Sequence, residues 1–189
     1  MSTSAIENDC LSGGIEQMTV LQDLLVEVQY VAATQNCEPP PNGEFLQHVA
    51  QLAYAHARPN TSKSSFGKEL TIRIVDELEM QGLNKLYRGK DKSTNVLSFE
   101  FEQDFEPHPQ AEISLLGDIV LCHSVIVSEA LAQLKPLEDH YAHMVAHGVL
   151  HLLGFDHQHE EQAVMMESTE AVILAECGVA NPYQPQNTD

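Results

Sequence analysis

Basic residues are scarce in this chain. Nine lysines and arginines stand against 28 acids in 189 residues, a formal net charge of −19. A surface that acidic repels polyanions over most of its area, which excludes a broad electrostatic nucleic-acid footprint. Cysteine is also sparse: Cys10, Cys37, Cys122 and Cys177 are scattered, with no C-x-x-C pair. That usage fits reduced, packed or idle thiols in a cytosolic setting rather than a disulfide framework. No apolar run approaches the roughly 18 residues a membrane span needs. The opening stretch MSTSAIENDCLSGGIEQMTV lacks a basic start and an apolar stretch, so no secretory signal is expected. The remaining composition, 43% hydrophobic and 20% charged, is that of one soluble domain with a real core.

The few cations are not spread evenly. Arg58, Lys63, Lys68, Arg73, Lys85, Arg88, Lys90 and Lys92 all precede residue 93, and only Lys135 lies outside that region. Four of them crowd into KLYRGKDK. Such a run is either a solvated turn or a local phosphate-binding surface on an otherwise repelling molecule.

Periodicity predicts an α+β domain over 23–183, flanked by a flexible extension over 1–22 and a tail over 184–189. Alternating or mostly apolar runs predict strands at LLVEVQYVAA (24–33), ELTIRIVDE (69–77), NVLSFEF (95–101) and LLGDIVLC (115–122). Helical spacing predicts helices at 44–57, 78–87, 124–134, from Pro136 to Gly154, and from Glu160 to Gly178. Four strands and five helices, with no internal repeat, suggest helices packed on a small mixed sheet. Asp118, in LGDI, either orients a ligand or, more simply, caps its strand.

The densest chemistry lies in HGVLHLLGFDH, residues 147–157. On a helix His147 and His151 share a face one turn apart, the spacing with which two imidazoles grip one ion. Gly154 suits a left-handed helix ending that would swing His157 back toward the same point. Three nitrogens leave a fourth position open, as in catalytic zinc sites. His140 and His143 fall on the same stripe. Three ligands on one straight helix at 143, 147 and 151 would span about 12 Å, too far for bonds of about 2 Å, so His143 reads as packing or support for a ligand. Asp156 remains open as an oxygen donor or as an acceptor that orients an imidazole. Where peptidases of the H-E-x-x-H type place their glutamate base, this chain has Gly148, which weakens peptide hydrolysis. A bare backbone there implies either close packing against a strand or approach of another group.

Together with LYRGKDKSTNVLSFEF (86–101) and LLGDIVLC, this block resembles the YbeY family of bacterial endoribonucleases, the ribosomal RNA maturation factors, over roughly residues 20–183. The resemblance implies one zinc ion per chain held by His147, His151 and His157, and an essential arginine at Arg88. It also implies a cytoplasmic, single-strand-specific role in maturing the 3′ end of small-subunit ribosomal RNA and in ribosome quality control, with the small subunit and its assembly factors as partners. The residue chemistry agrees: an arginine offers a rigid two-pronged donor to a phosphodiester, and Lys85, Lys90 and Lys92 would hold its backbone. Zinc acidifies water and polarises phosphoryl oxygen, so either water or the RNA 2′-hydroxyl is the expected nucleophile. Two other classes compete. One is a metal-dependent hydrolase of peptides or small molecules, with Asp156 or Glu160 as base; the other is a non-catalytic, zinc-stabilised ribosome assembly factor.

Overall fold

Alternation in ELTIRIV sends Leu70, Ile72 and Ile74 to one face of a strand and Thr71, Arg73 and Val75 to the other. That division organises the whole molecule. The structure, a computed structural model, describes residues 24–31, 38–57, 68–101, 115–157 and 159–184. The expected extension at 1–22 and nearly all of the expected tail lie outside the described residues.

The chain runs β1 (Leu25–Tyr30), α1 (Gly43–Ala57), β2 (Glu69–Val75), α2 (Glu77–Arg88), β3 (Val96–Glu100), β4 (Leu115–Cys122), α3 (His123–Ala132), α4 (Leu137–Leu152) and α5 (Glu160–Glu176). The strands form one mixed sheet in the order β1-β2-β4-β3. The β1–β2 and β2–β4 pairs are parallel, and β3 joins β4 antiparallel as an edge strand. This is the α+β domain of four strands and five helices that the periodicity predicts.

One sheet face carries the main core. Ile72, Ile74, Ile119 and Leu121 meet Val49 and Ala53 of α1, Val145 and Val149 of α4, and Ile173 of α5, all fully buried. Sealing a side chain of this size from water is worth about 1.5–3 kcal/mol, so this face dominates the stability. The other face is only partly roofed. There α2 supplies Met80 to a smaller cluster with Val75, Leu97, Val120 and Cys122.

Asp76 caps α2, its carboxylate accepting the Glu79 N–H at 2.8 Å. The loop after α2 is tied back to the helix: buried Asn84 donates to the Lys92 carbonyl at 2.6 Å, and the Lys90 N–H donates to the Asn84 carbonyl. KLYRGKDK is therefore the last turn of α2 followed by a loop tied back to that helix. Among the described residues, no helix is long and apolar enough to cross a membrane.

Candidate metal centre and adjoining groove

Helix α4 ends in a way that serves the site. Gly154 has φ 88°; its N–H donates to the His151 carbonyl, and the Phe155 N–H donates to the Leu150 carbonyl. These paired bonds form a Schellman ending, which needs the left-handed conformation that glycine adopts most cheaply. The reversal returns His157 to the face carrying His147 and His151. One nitrogen from each of the three imidazoles lies within 4.8 Å of the others.

The tautomers follow from the partners. The His151 Nδ1–H donates to the Phe155 carbonyl at 3.1 Å, and the His147 Nδ1–H donates to Glu170 Oε1 at 2.9 Å. Both Nε2 atoms therefore present lone pairs, and they face each other 3.1 Å apart. Two lone pairs at that distance repel unless a cation lies between them. Nitrogens bound at about 2.0–2.1 Å to one tetrahedral ion stand about 3.4 Å apart, so the pair has the spacing of co-ligands. Burial, then the neighbouring His147 and His157, pushes the His151 imidazole down to about 4, which keeps it neutral near pH 7. The donor set fits a metal. Among the described residues no fourth histidine, cysteine or carboxylate joins the group.

Glu170, on α5, joins the histidine cluster although the linear motif does not reveal it. It is completely buried. Burial pushes its carboxyl up, but hydrogen bonds from His143, His147 and Tyr183 outweigh that and hold it at about 2. Glu170 Oε2 receives the Tyr183 hydroxyl and lies 3.1 Å from His143 Nε2. Burial, then the bond to Glu170, raises the Tyr183 phenol. His143 is thus a partner of the orienting carboxylate and stands apart from the three-nitrogen group. Asp156 turns its carboxylate to the His157 backbone N–H at 2.7 Å, and so secures the returning segment. The sequence signal for Glu170 was an acid on an apolar helical stripe, with Met166, Ile173 and Leu174 buried beside it.

Gly148 has a packing reason. A Cβ there would come within 2.9 Å of Ile119 Cδ1 on β4, so α4 lies close against the sheet. The Ser98 hydroxyl on β3 donates to the Gly148 carbonyl at 3.4 Å, which fixes the edge strand beside the histidines.

Arg88 ends α2 and lines an open groove of about 1160 Å³ on the partly roofed sheet face, with Tyr87, Ser98, Phe99 and Asp118 also in its walls. Among the described residues its guanidinium has no hydrogen-bond or ion-pair partner, whereas Arg73 in the same groove is bound to Glu79 at 2.8 Å. Lys85 pairs with Asp91 at 2.7 Å, both well exposed. Lys90 and Lys92 are exposed on the following turn. Among the described residues no hydrogen bond or ion pair links these cations to the histidines, and the groove lies on the sheet face opposite α4.

A family model for endoribonuclease YbeY matches residues 30–178, a span that includes all three histidines, Arg88 and the lysine turn. The chain belongs to the YbeY endoribonuclease family. Membership supports an endoribonuclease of ribosomal RNA processing. Among solved structures, the chain is similar to the solution structure of TM1509 from Thermotoga maritima, at 19% identity and a TM-score of 0.50, covering 87% of this chain and 99% of that one. At that identity the likeness speaks for the fold.

Proposed function

We propose that this YbeY-family chain is a zinc-dependent, single-strand-specific endoribonuclease. It acts in the cytoplasm on the 3′ end of small-subunit ribosomal RNA and in ribosome quality control, in contact with the small subunit and its assembly factors. The observation that carries the metal chemistry is the facing pair of Nε2 lone pairs on His147 and His151, with His157 folded back beside them. One ion per chain would be held by these three imidazoles. When bound, it supplies Lewis acidity that polarises a phosphoryl oxygen and acidifies water.

The chain's own residues do the rest. Glu170 accepts the His147 Nδ1 proton and so keeps Nε2 turned inward, as a carboxylate behind a ligating histidine does. Arg88, free of any carboxylate among the described residues, meets the negative charge that builds on the phosphodiester during attack. Lys90 and Lys92, with Lys85 contributing less because Asp91 already neutralises it, hold the flanking RNA backbone. Two observations weigh against peptide hydrolysis: the position of the peptidase base is Gly148, and Asp156 is committed to a backbone N–H.

Metal analysis of the purified protein, paired with cleavage of single-stranded RNA before and after a chelator, tests the proposal. Stoichiometric zinc, activity lost on chelation and restored by zinc are the expected results. Cleavage indifferent to metal removal would overturn it.

A further inference from the structure

The Tyr87 ring meets the Phe99 ring edge to face, with centroids 4.9 Å apart, yet Tyr87 remains 62% exposed inside the groove. Phe99 and Asp118 are Cα partners across the antiparallel β3–β4 pair. Directly opposed residues share a sheet face with Cβ atoms about 4.5–5.5 Å apart. The exposed Asp118 carboxylate therefore lies beside the aromatic pair, and among the described residues it has no hydrogen-bond or ion-pair partner.

A flat, exposed ring next to an unpaired carboxylate in a concave wall suits a nucleobase and repels a phosphate. The phosphate side is supplied by Arg88, the next residue after Tyr87 and likewise without a partner among the described residues. Ser98 borders the same groove, but its hydroxyl points to the opposite sheet face and is hydrogen-bonded to the carbonyl of Gly148, the residue after His147, so the edge strand β3 stands between the groove and α4.

We propose that this groove is a base subsite: it takes one unstacked RNA base against Tyr87 and reads its edge with Asp118. Aromatic rings hold single-stranded bases by stacking. A carboxylate accepts hydrogen bonds from an exocyclic amino group such as cytosine N4, whereas uracil offers it only an N3–H flanked by two carbonyl oxygens that repel the charge. The subsite thus favours amino-bearing bases over uracil, and because double-stranded RNA keeps its bases stacked, it selects single strands. The proposal rests on the endoribonuclease reading of the site and adds a base preference to it.

The test uses the full-length, metal-loaded protein and cleavage-resistant, phosphorothioate-linked decamers of cytidine, uridine and abasic ribose, read by fluorescence anisotropy. Wild type should bind the cytidine decamer tightest and the abasic chain weakest. Tyr87→Leu should weaken both base-bearing decamers about tenfold and leave the abasic chain unchanged, while Tyr87→Phe restores binding. Asp118→Ala should bring the cytidine decamer to the uridine level. In cleavage assays Tyr87→Leu should raise KM about tenfold with little change in kcat.

Base-bearing decamers bound equally by wild type and Tyr87→Leu, or a cytidine preference that survives Asp118→Ala, would overturn the subsite while leaving the nuclease reading in place if wild type still cleaves RNA. Tyr87-dependent binding without any cleavage would keep the subsite and defeat the nuclease reading. A wild type that binds none of the decamers defeats both.

Discussion

His147 and Glu170 come from different helices, yet the Nδ1 of one lies 2.9 Å from the carboxylate of the other, and that carboxylate has no exposed surface. An acid buried this deeply is costly unless every oxygen has a partner. Here His147, His143 and Tyr183 share it. The arrangement fixes which nitrogen of His147 turns toward His151 and would face a bound ion.

Replacing Glu170 by glutamine keeps the shape and removes the charge. Zinc affinity, measured by competition with a chromophoric chelator, should fall roughly 10- to 100-fold. An unchanged affinity would reduce Glu170 to a packing role.

Arg88→Ala should lower kcat by about 100-fold or more and leave zinc content at one per chain. Loss of zinc in that variant would contradict its assignment to phosphate. The lysines should separate by pairing: Lys90→Ala or Lys92→Ala should reduce the salt dependence of RNA binding by about 0.7 in log–log slope. Lys85→Ala, already neutralised by Asp91, should change it less.

Gly148→Ala would drive a methyl into Ile119. Although alanine favours a helix by about 1 kcal/mol, overpacking costs about 1–3 kcal/mol, so urea unfolding should show a net loss. Coupling with Ile119→Ala should recover part of it. Purely additive effects would mean that the two side chains do not compete for that space.

Stability should fall on mild acidification. His140 is held below its usual value by burial, against the opposing pull of Glu129, and its Nδ1 is buried without a partner among the described residues. Burial lowers His123 as well, against hydrogen bonding to Glu38. For both, the unfolded chain binds the proton more readily, so stability is complete above about pH 6.5 and declines as pH drops from there toward the folded values. Urea unfolding between pH 5 and 7 should show this slope, and His140→Gln should flatten it. A slope identical in that variant would assign the effect to other groups.

Much of this architecture was legible in the linear chain because local signals agree with the packing. Alternation marked β2 and the apolar run marked β4, while Pro136 and Gly154 bracketed α4. The three histidines were legible because one helical turn and one glycine reversal bring them together without help from the sheet. Glu170 and Tyr183 were not. They reach the site through the docking of α5, and a single acid on an apolar stripe does not announce its partner. The groove was equally hidden: Tyr87, Phe99 and Asp118 lie on three elements whose juxtaposition depends on the β3–β4 register. The lysine run reads from sequence as either a solvated turn or a phosphate-binding surface, and only the structure shows Asp91 drawing off one member.

The reversal at Gly154 places the three proposed donors within eleven consecutive residues, whereas the carboxylate behind His147 arrives from α5. Capture of the ion can therefore begin in a nascent chain as soon as α4 has formed, but a firm grip awaits the arrival of α5. Fraying from the carboxyl-terminal end would loosen the metal while the strands are still paired, so in a thermal ramp zinc release should precede the melting of the sheet.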